Sequence, residues 1–376
     1  MNVLYLANIN NIHDFKWVSY FASKEGIDVF LITEVENFKK TDITTLQKYK
    51  DIGVEVLPPI DNFSICNFPK SIKSILLLRK LIRKHNIDVF HTLFGSPQPI
   101  WLVFLPKSVR LGITTRGSDV FVLLKEVWET KNIINRILKW LLKRGYRKAE
   151  FITCTSTAQI ETIKDLIPNK LPQIHFIKTG VDVEAIQKTD VSGKVLTVSK
   201  EFVFSARFIE KIYNIDYQLE AIKELDKEFL KKYSFLFVAF QYPVDVDLTE
   251  FKSELDKIEG LQYDICSQIT QAQMWATIKA SALVYMVPTT DGTPNTALEC
   301  MAAEKRFIMG NLDYNKELFE DVSLIADLSN PQSLTQKLTE GVVTYPEYLI
   351  KNGLDKVTKF GSREFEMKKL LKLYTK

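Results

Sequence analysis

The chain has 376 residues, more than one ordinary domain holds and suitable for two. Hydrophobic residues make up 46% of it and charged residues 26%, a globular composition, and apolar runs such as Ile100 to Leu105 are too short to span a bilayer. The net charge of +4 is unevenly divided: residues 1–170 carry 25 Lys+Arg and 16 Asp+Glu and the remainder 25 and 30, which predicts two domains with different partners.

The first half alternates short apolar runs with helical patterns. Predicted strands are Val3–Ala7, Ile27–Ile32, Val54–Leu57, Ile87–His91, Arg110–Thr114, Phe151–Thr155 and Ile174–Ile177. Predicted helices are Phe15–Ser23, Pro69–His85, Lys125–Arg147 and Ser156–Leu166. This order predicts an α/β domain with a parallel sheet between helices. The first turn lacks Gly-x-Gly-x-x-Gly, which argues against a dinucleotide-binding dehydrogenase.

The second half repeats this alternation after a polar linker predicted at Gln187–Lys200. Predicted strands are Phe202–Ala206, Phe235–Phe240, Leu283–Val287 and Phe307–Met309, and predicted helices are Ser267–Ala280, Pro331–Glu340 and an amphipathic tail, Arg363–Tyr374. Arg207 follows the first of these strands, and ligands of doubly wound sheets bind at that edge.

A strand, a tight loop and a helix start follow one another between Leu283 and Glu299. Thr293 is the predicted N-cap and Pro294 the predicted first helical residue. Amide groups at Asn295 and Thr296 then favour an anion at the helix start. Gly292 has no side chain, so a ligand can approach the backbone closely.

Two carboxylates frame this helix start, with seven residues between them. Asp291 precedes the helix, and Glu299 lies inside it. A carboxylate accepts two hydrogen bonds, which suits vicinal hydroxyls on a sugar or a ribose. The same pattern is equally compatible with an acidic residue that serves the helix dipole and a glutamate on an exposed face.

A family resemblance favours the first of these interpretations. Thr-Asp-Gly-Thr-Pro-Asn-Thr-Ala-Leu-Glu-Cys-Met-Ala resembles the Glu-Gly-x-Pro-x-x-x-Leu-Glu-Ala-Met-Ala pattern of a large retaining glycosyltransferase family, family 4-like, that includes sucrose synthase and bacterial phosphatidylinositol mannosyltransferases. Asp291 stands where that family usually has glutamate. Three further segments resemble the same family: Ile-Asp-Val-Phe-His at 87–91, Thr-Thr-Arg-Gly-Ser-Asp-Val at 114–120 and Lys-Thr-Gly-Val-Asp at 178–182.

The resemblance implies the GT-B architecture, with two facing Rossmann-like domains and parallel sheets. We expect an acceptor-binding domain at 1–190, a nucleotide-sugar-binding domain at 195–358, and a terminal helix at 359–376 that packs back toward the first domain. The implied reaction is transfer of a sugar from a nucleotide sugar, UDP- or GDP-linked, to a glycan or lipid-linked acceptor with retention at the anomeric carbon. Bacterial surface polysaccharide or glycoconjugate synthesis is the expected setting.

The resemblance also assigns residues to roles. Arg207, Asp291 and Lys211 are the candidate catalytic residues, although Lys211 stands one or two positions earlier than the family's lysine and is equally compatible with a solvated loop. Donor binding falls to Gly292, Thr293, Pro294, Asn295, Thr296 and Glu299. No metal or other cofactor is expected, because no acidic pair has metal-ligand spacing.

Four residues of the first half are candidates for the acceptor or the cleft. These are His13 in the predicted loop Asn8–Asp14, His91 at a strand end, and Arg116 and Asp119 in the following loop. Each has a structural alternative: a surface histidine, a capping or sheet-edge histidine, and a salt-bridged turn for the last two.

Two other functions fit the same fold. One is a non-catalytic partner subunit, favoured by Asp291 and by the position of Lys211. The other is a sugar-nucleotide epimerase, which the Gly-Thr-Pro-Asn segment argues against.

Location is inferred from cysteines, from the start of the chain and from one basic helix. The four cysteines show no paired spacing, which predicts reduced thiols in a cytosolic protein without a zinc site. No signal peptide is expected.

Residues 131–148 combine an apolar face with Lys139, Lys143, Arg144, Arg147 and Lys148, and with Trp140. We therefore expect reversible attachment to an anionic membrane, on the inner face of the plasma membrane, and no nucleic-acid partner. Packing of the apolar face inside the domain is the alternative.

Overall fold

The computed structural model describes residues 1–168, 171–195, 201–239, 248–266, 269–291 and 293–375. The chain forms two compact units, one of Met1–Thr179 with Glu366–Lys376 and one of Gly180–Phe365. Each unit is built around a parallel sheet. The α/β class predicted from the alternation of elements is therefore confirmed.

The first unit contains a seven-stranded sheet with the order β3-β2-β1-β4-β5-β6-β7. Its strands are β1 (Asn2–Leu6), β2 (Asp28–Ile32), β3 (Glu55–Val56), β4 (Val89–Thr92), β5 (Arg110–Thr114), β6 (Phe151–Cys154) and β7 (Ile174–Phe176). Central strands are mostly apolar because both faces of the sheet are covered.

Helices cover both faces of this sheet. They are α1 (Ile12–Ala22), α2 (Val35–Lys39), α3 (Ile43–Asp51), α4 (Phe68–Lys84), α5 (Lys125–Glu129), α6 (Ile133–Lys148) and α7 (Thr157–Leu166), with a 3-10 segment at Gln98–Phe104 and a π-helical segment at Asp119–Leu124. Residues of α4, α6 and α7 share one core with the 3-10 segment. Residues of α1 and α3 belong to a second core.

The second unit contains a six-stranded sheet with the order β10-β9-β8-β11-β12-β13. Its strands are β8 (Glu201–Phe208), β9 (Tyr233–Val238), β10 (Tyr263–Cys266), β11 (Leu283–Met286), β12 (Phe307–Gly310) and β13 (Leu324–Ala326). Thus β8, β11 and β12 are neighbours at the centre of the sheet.

The helices of the second unit are mostly short. They are α8 (Val183–Lys188), α9 (Ile215–Lys223), α10 (Lys227–Lys232), α11 (Thr249–Asp256), α12 (Gln271–Ala280), α13 (Asn295–Ala302), α14 (Lys316–Phe319), α15 (Pro331–Val343) and α16 (Glu347–Lys356). The last helix, α17 (Arg363–Thr375), begins in this unit, and its residues from Glu366 onward belong to the first.

The long helix predicted at Lys125–Arg147 is wrong, because the chain breaks after α5. Thr130 is extended, with φ −73° and ψ 120°. Asn132 then caps α6 by accepting a hydrogen bond from the amide of Asn135 at 2.7 Å. An asparagine side chain that bonds to the backbone favours a new helix start over a continuous helix.

The first loop is shorter than predicted, so His13 lies in the first turn of α1. Asn11 caps this helix by accepting from the amides of His13 and Asp14. The predicted linker begins inside the second unit, which starts at Gly180. Its first residue, Gln187, lies on α8, where the neighbouring Ile186 is fully buried in a core with Leu298 of α13. Residues 196–200 of that linker and Phe240 lie outside the described residues.

The end of α17 is fixed to the first sheet by a buried polar network. The Tyr374 hydroxyl lies 2.6 Å from Nδ1 of His91 and 2.9 Å from the Tyr5 hydroxyl. Nε2 of His91 lies 2.8 Å from the Thr114 hydroxyl. His91 has no exposed surface. Its predicted place in an acceptor cleft is therefore wrong, because the side chain points into the core beneath α17.

His91 generates a prediction about acid stability. Burial, with a smaller contribution from the charge of Arg116, lowers its pKa to about 3, whereas an unfolded histidine titrates near pH 6.5. The unfolded chain therefore binds a proton that the native protein does not. The stabilisation that follows is complete above about pH 6.5 and is lost as the pH falls toward 3, by at most about 1.4 kcal/mol per pH unit.

Urea unfolding at several pH values between neutrality and about pH 5 measures this contribution. The free energy of unfolding of His91→Asn should fall less steeply with decreasing pH than that of the wild type, since the variant lacks the titrating group. Parallel slopes for the two proteins would contradict a neutral buried imidazole.

Candidate functional site

Three side chains meet at the carboxyl edge of the second sheet. Arg207 lies near the end of β8, Asp291 follows β11, and Tyr314 follows β12. These strands are adjacent, and the carboxyl ends of parallel strands lie at one edge of a sheet. The topology therefore brings residues more than a hundred positions apart into one site.

Arg207 and Asp291 form an ion pair in this site. The terminal Nη2 of Arg207 donates to Oδ2 of Asp291, and the two side chains are 15% and 19% exposed. The guanidinium also lies 5.6 Å from the ring centroid of Tyr213. Its Nε is buried and has no hydrogen-bond partner among the described residues. Nε of Arg207 is thus available to a ligand, while Asp291 already partly neutralises the charge of the guanidinium.

The loops after β8 and β11 are fastened to each other. Lys211–Tyr213 forms a 3-10 turn, and the carbonyl of Ile212 accepts from the amide of Thr289 at 2.9 Å and from its hydroxyl at 3.1 Å. Lys211 itself is exposed. The turn fixes the backbone on both sides of the ion pair, whereas the Lys211 side chain points to solvent.

Helix α13 starts one residue later than predicted. Pro294 is the N-cap, with φ −68° and ψ 108°, and its carbonyl accepts from Ala297 at 3.0 Å and from Leu298 at 3.3 Å. Thr293 lies before the cap, and Pro294 itself makes no side-chain cap. The predicted Thr293 cap is therefore wrong, because the extended ψ of Pro294 makes its own carbonyl the first acceptor. Gly292 lies outside the described residues.

Glu299 is buried on this helix, with 4% exposure. Its Oε1 accepts a hydrogen bond from Nε2 of Gln271 at 2.9 Å. Gln271 is the first residue of α12, whose start is fixed by a capping box between Thr270 and Gln273. The interpretation of Glu299 as a solvated face is thus excluded, since its carboxylate is held inside the unit.

A cation that the sequence did not indicate lies near Glu299. Burial lowers the pKa of Arg363, and the charges of Asp182 and Glu299 oppose that shift. Nε of Arg363 is buried without a hydrogen-bond partner in the described part of the chain. Arg363 opens α17, far from the other site residues in sequence, so no local motif indicated it.

Tyr314 is the other residue that sequence reasoning missed. It is 9% exposed, and its hydroxyl is buried without a hydrogen-bond partner among the described residues. Burial raises the pKa of this hydroxyl, the charge of Asp291 raises it further, and Arg207 opposes the shift. A neutral donor therefore lies next to the ion pair, ready for an acceptor oxygen on a ligand.

Arg116 is part of a compact ion pair in the first unit. Its Nη2 lies 2.9 Å from Oδ1 of Asp14, its Nη1 donates to the Thr179 hydroxyl at 3.2 Å, and its guanidinium lies 4.9 Å from the Trp17 ring centroid. Burial lowers the pKa of Arg116, and the charges of Asp14 and Asp119 oppose this shift. The salt-bridged alternative left open by the sequence thus describes the observed geometry.

Asp119 holds the loop before the π-helical segment. It has no exposed surface and accepts from the amides of Gly95, Arg116 and Gly117 at 2.5, 2.9 and 2.7 Å. Burial raises the pKa of Asp119, and these three hydrogen bonds oppose the shift. Its predicted contact with an acceptor is therefore wrong, because the carboxylate has no exposed surface and holds the backbone of its own loop. His13 stays partly exposed at the start of α1.

Two further observations concern metals and membranes. Within the described ranges, no group of three or more His, Cys, Asp or Glu side chains is arranged to hold a metal ion. No helix in the same ranges is long and apolar enough to cross a membrane.

The family comparison agrees with the resemblance read from the motifs. Residues 19–185 match the model of Glycosyltransferase Family 4. The motif at 283–303 lies outside the matched range, so it is independent of this match. No curated protein matches the chain.

Solved structures of glycosyltransferases share the fold over the whole chain. Sucrose-phosphate synthase from Thermosynechococcus elongatus superposes with a TM-score of 0.74 at 13% identity, covering 100% of this chain and 98% of that one. HepE from Anabaena, solved in complex with UDP, gives 0.75 at 9% identity, with 100% of both chains covered. The UDP-forming α,α-trehalose-phosphate synthase from Burkholderia xenovorans, in complex with glucose-6-phosphate, gives 0.70 at 11% identity, again with 100% of both chains covered.

These comparisons define the class of protein. The chain has the two-domain α/β fold of GT-B glycosyltransferases, and its resemblance to family 4-like members is confirmed. Glycosyl transfer is the activity that the family match and the fold support.

The ion pair generates a prediction about anion binding. A diphosphate that binds Arg207 has to compete with Asp291, so removing the aspartate charge should tighten binding. For Asp291→Asn we expect the dissociation constant of UDP or inorganic pyrophosphate to fall about tenfold, since hydrogen bonds to charged groups contribute about 1.5–3 kcal/mol. Calorimetric titration measures it, with Asp291→Glu, which keeps the charge, as the matched control. Weaker binding by Asp291→Asn than by Asp291→Glu would contradict competition for Arg207.

Proposed function

We propose that this protein is a retaining glycosyltransferase that transfers a sugar from a UDP- or GDP-linked donor. The observation that carries the proposal is the Arg207–Asp291 pair, which lies between neighbouring strand ends and just before α13, the helix that contains the buried Glu299. This arrangement offers a cation for a diphosphate and two carboxylates for hydroxyl groups. A nucleotide sugar has a diphosphate and two sets of hydroxyl groups, one on the ribose and one on the transferred sugar.

The diphosphate of the donor would bind to Arg207 and to the start of α13. A guanidinium holds phosphate oxygens through two parallel hydrogen bonds. The amides of Asn295 and Thr296 open the helix, where the helix dipole favours an anion. Tyr314 would add a neutral hydroxyl. Lys211 stays a candidate whose side chain has to turn from solvent to reach a phosphate.

The ribose and the transferred sugar would each bind to one of the two carboxylates. Glu299 would accept hydrogen bonds from the ribose hydroxyls while Gln271 holds its Oε1 in place. Asp291, released from Arg207 by the diphosphate, would bind hydroxyls of the transferred sugar. Gly292, Thr293 and Pro294, which follow Asp291 in the sequence, are the remaining proposed donor contacts.

Catalysis would depend on stabilising the leaving diphosphate. Negative charge on the leaving group increases in the transition state, so a fixed cation and helix amides lower the barrier. In this proposal no side chain acts as the nucleophile, and an oxygen of the leaving phosphate assists deprotonation of the acceptor. The reaction is proposed to be metal-independent because Arg207 and the helix start supply the positive charge.

The titles of related structures support the choice of donor. HepE was solved with UDP and with UDP-glucose, and a trehalose-phosphate synthase described as UDP-forming was solved with glucose-6-phosphate. UDP-linked sugars are therefore the donors to test before GDP-linked ones.

On the acceptor side we propose a glycan or a lipid-linked sugar that meets the first unit, with His13 and Arg116 as the remaining candidate contacts. The proposed setting is polysaccharide or glycoconjugate synthesis in the cytoplasm. Peripheral attachment to the anionic inner face of the plasma membrane would follow from the +9 balance of residues 1–170, and no nucleic acid is a proposed partner.

A non-catalytic role is the second candidate. Its specific support is that Arg207 is neutralised by an aspartate in the position where the family usually has glutamate, while Lys211 is exposed. A protein of this kind would bind nucleotide without turnover.

Product release from UDP- and GDP-sugars distinguishes these candidates. We expect release of the nucleoside diphosphate that is unchanged by EDTA, and an NMR spectrum of the product that shows the anomeric configuration of the donor. Arg207→Ala should lower kcat by about 10²–10³ with a smaller effect on KM, because the arginine acts mostly on the transition state. Arg207→Lys, which keeps the charge, should show a smaller decrease in kcat. Nucleotide binding without turnover in the wild type would favour the non-catalytic role.

Glu299→Gln tests the ribose contact. The variant keeps the shape of the side chain but loses its charge, so nucleotide binding should weaken by about 1.5–3 kcal/mol while the fold persists. Glu304→Gln, an exposed glutamate just after the same helix, is the matched control. Calorimetry with the nucleoside diphosphate gives the affinities, and an unchanged value for Glu299→Gln would remove Glu299 from the ribose role.

A further inference from the structure

Several apolar side chains of the first unit are exposed within residues 121–140. We call this set the apolar tip: Phe121 (37% exposed), Val122 (57%), Leu123 (37%), Ile133 (66%), Ile134 (38%), Ile137 (39%) and Trp140 (52%). The first three lie on the π-helical segment before α5, and the other four lie on α6. The short helix α5 connects these two groups and contacts both elements. Exposed apolar side chains grouped in this way are typical of an interaction site.

Helix α6 explains why these residues are not covered. Its buried residues, Leu141, Leu142, Gly145 and Tyr146, all lie in its second half. Gly145 allows a close approach to the 3-10 segment, since a Cβ there would lie 2.0 Å from the carbonyl oxygen of Pro99. The helix is thus anchored at its C-terminal end. Ile133, Ile137 and Trp140 follow the i, i+4, i+7 spacing and form a separate stripe that faces solvent.

The charges around the apolar tip are mostly positive. The exposed charged side chains between residues 121 and 144 are Lys125, Glu126, Glu129, Lys131, Arg136 and Arg144. Arg144 also lies 4.6 Å from the ring centroid of Trp140. A tryptophan flanked by cations suits the boundary between headgroups and acyl chains.

Some basic residues of α6 serve the fold instead. Lys139 donates to the carbonyl of Trp128 at 2.6 Å, and Lys148 donates to those of Val103 and Leu105 at 3.0 and 2.5 Å. Packing of the fold therefore explains these two basic side chains.

A second basic helix packs into the same core. Helix α4 contains six Lys and Arg residues and no acidic residue, and it exposes Phe68, Ile72 and Leu76 at 47%, 41% and 60%. Residues of α4 and α6 share one apolar cluster. The positive charge on this layer of helices therefore extends beyond the tip.

We propose that the apolar tip inserts into the interface of an anionic bilayer, with the lipid phosphates bound by Lys125, Lys131, Arg136 and Arg144. The inference deepens the acceptor side of the proposed function, on which it rests, by naming the surface that meets a membrane. Charge selects this occupant over a second copy of the chain, because a symmetric contact would bring the same cations together. Apolar insertion adds an attraction that salt does not screen, unlike attachment by charge alone.

Vesicle sedimentation tests the proposal on the full chain. The wild type should bind phosphatidylcholine vesicles that contain phosphatidylglycerol and should bind pure phosphatidylcholine far less. The double variant Ile133→Ser with Ile137→Ser should lose at least about tenfold in affinity, because two apolar side chains no longer insert. The matched control is Ile43→Ser on α3, which is 84% exposed and lies outside the tip, and it should bind like the wild type.

Two further measurements separate insertion from adsorption. Tryptophan emission should shift to shorter wavelength on anionic vesicles, and Trp140→Phe should abolish the shift. Arg136→Gln with Arg144→Gln should weaken binding about tenfold or more at low salt, since each cation near the surface contributes about 1 kcal/mol.

Several outcomes would overturn the inference: no binding to anionic vesicles, equal binding to both vesicle types, or wild-type binding by the isoleucine double variant. Light scattering that shows a lipid-free dimer, dissociated by the same double variant, would assign the tip to a second copy instead. Thermal stabilisation by UDP and GDP, measured on the same proteins, keeps the two proposals apart. Stabilisation without vesicle binding removes only the membrane inference, and vesicle binding without stabilisation removes only the proposed function.

Discussion

The second unit depends on how a partly buried arginine is neutralised at the edge of its sheet. Arg207 lies at the end of a strand whose residues before it are buried, so its charge has little water around it. Leaving such a charge unpaired would destabilise the unit, and Asp291 provides the counter-ion. In the proposed function the same aspartate would make the site selective, because a ligand with more negative charge than one carboxylate would compete best for the arginine. A diphosphate meets this condition.

Two buried polar clusters of the first unit are built differently. His91, Tyr374, Thr114 and Tyr5 are joined by hydrogen bonds, and Asp119 is satisfied by backbone amides. These groups have partners in place, so they specify one packing of the last helix and one loop conformation. Around Arg207, by contrast, Nε and the Tyr314 hydroxyl are buried without partners among the described residues. A buried donor without a partner raises the free energy of the folded state. A ligand that supplies acceptors to these donors would therefore be favoured.

The sequence predicted the central elements well for physical reasons. Strands such as β8 and β11 are continuous apolar runs because helices cover both faces, and such runs are easily recognised. It missed β10 and β13, which form the two edges of the second sheet and are only four and three residues long. It also missed the break between α5 and α6. Apolar residues occur on both sides of Thr130–Asn132, but the helical conformation is interrupted there.

Side-chain direction was the harder part of the site. His91, Asp119 and Asp291 all follow or end strands at the expected edges, yet the first two point into the interior and the third lies against Arg207. Strand periodicity does not report which of these arrangements occurs. His91 and Asp291 are placed by Tyr374 and Arg207, residues far away in the chain, and Asp119 is placed by backbone amides of Gly95 and of its own loop. The roles of Tyr314 and Arg363 could not be predicted for the same reason. Each lies beside charged residues that are distant in the sequence and come close only in the fold.

Helix α6 shows the same limit on a surface, and here the physical consequence extends beyond the fold. Its sequence contains enough apolar residues for two stripes, and periodicity alone cannot assign one to the core and the other to solvent. The structure buries Leu141 and Leu142 and leaves Ile133, Ile137 and Trp140 exposed. Packing of the domain accounts for only one stripe, so the second stripe is available for the membrane contact proposed above. The cations beside it favour an anionic partner, and a bilayer interface places negatively charged headgroups next to an apolar interior.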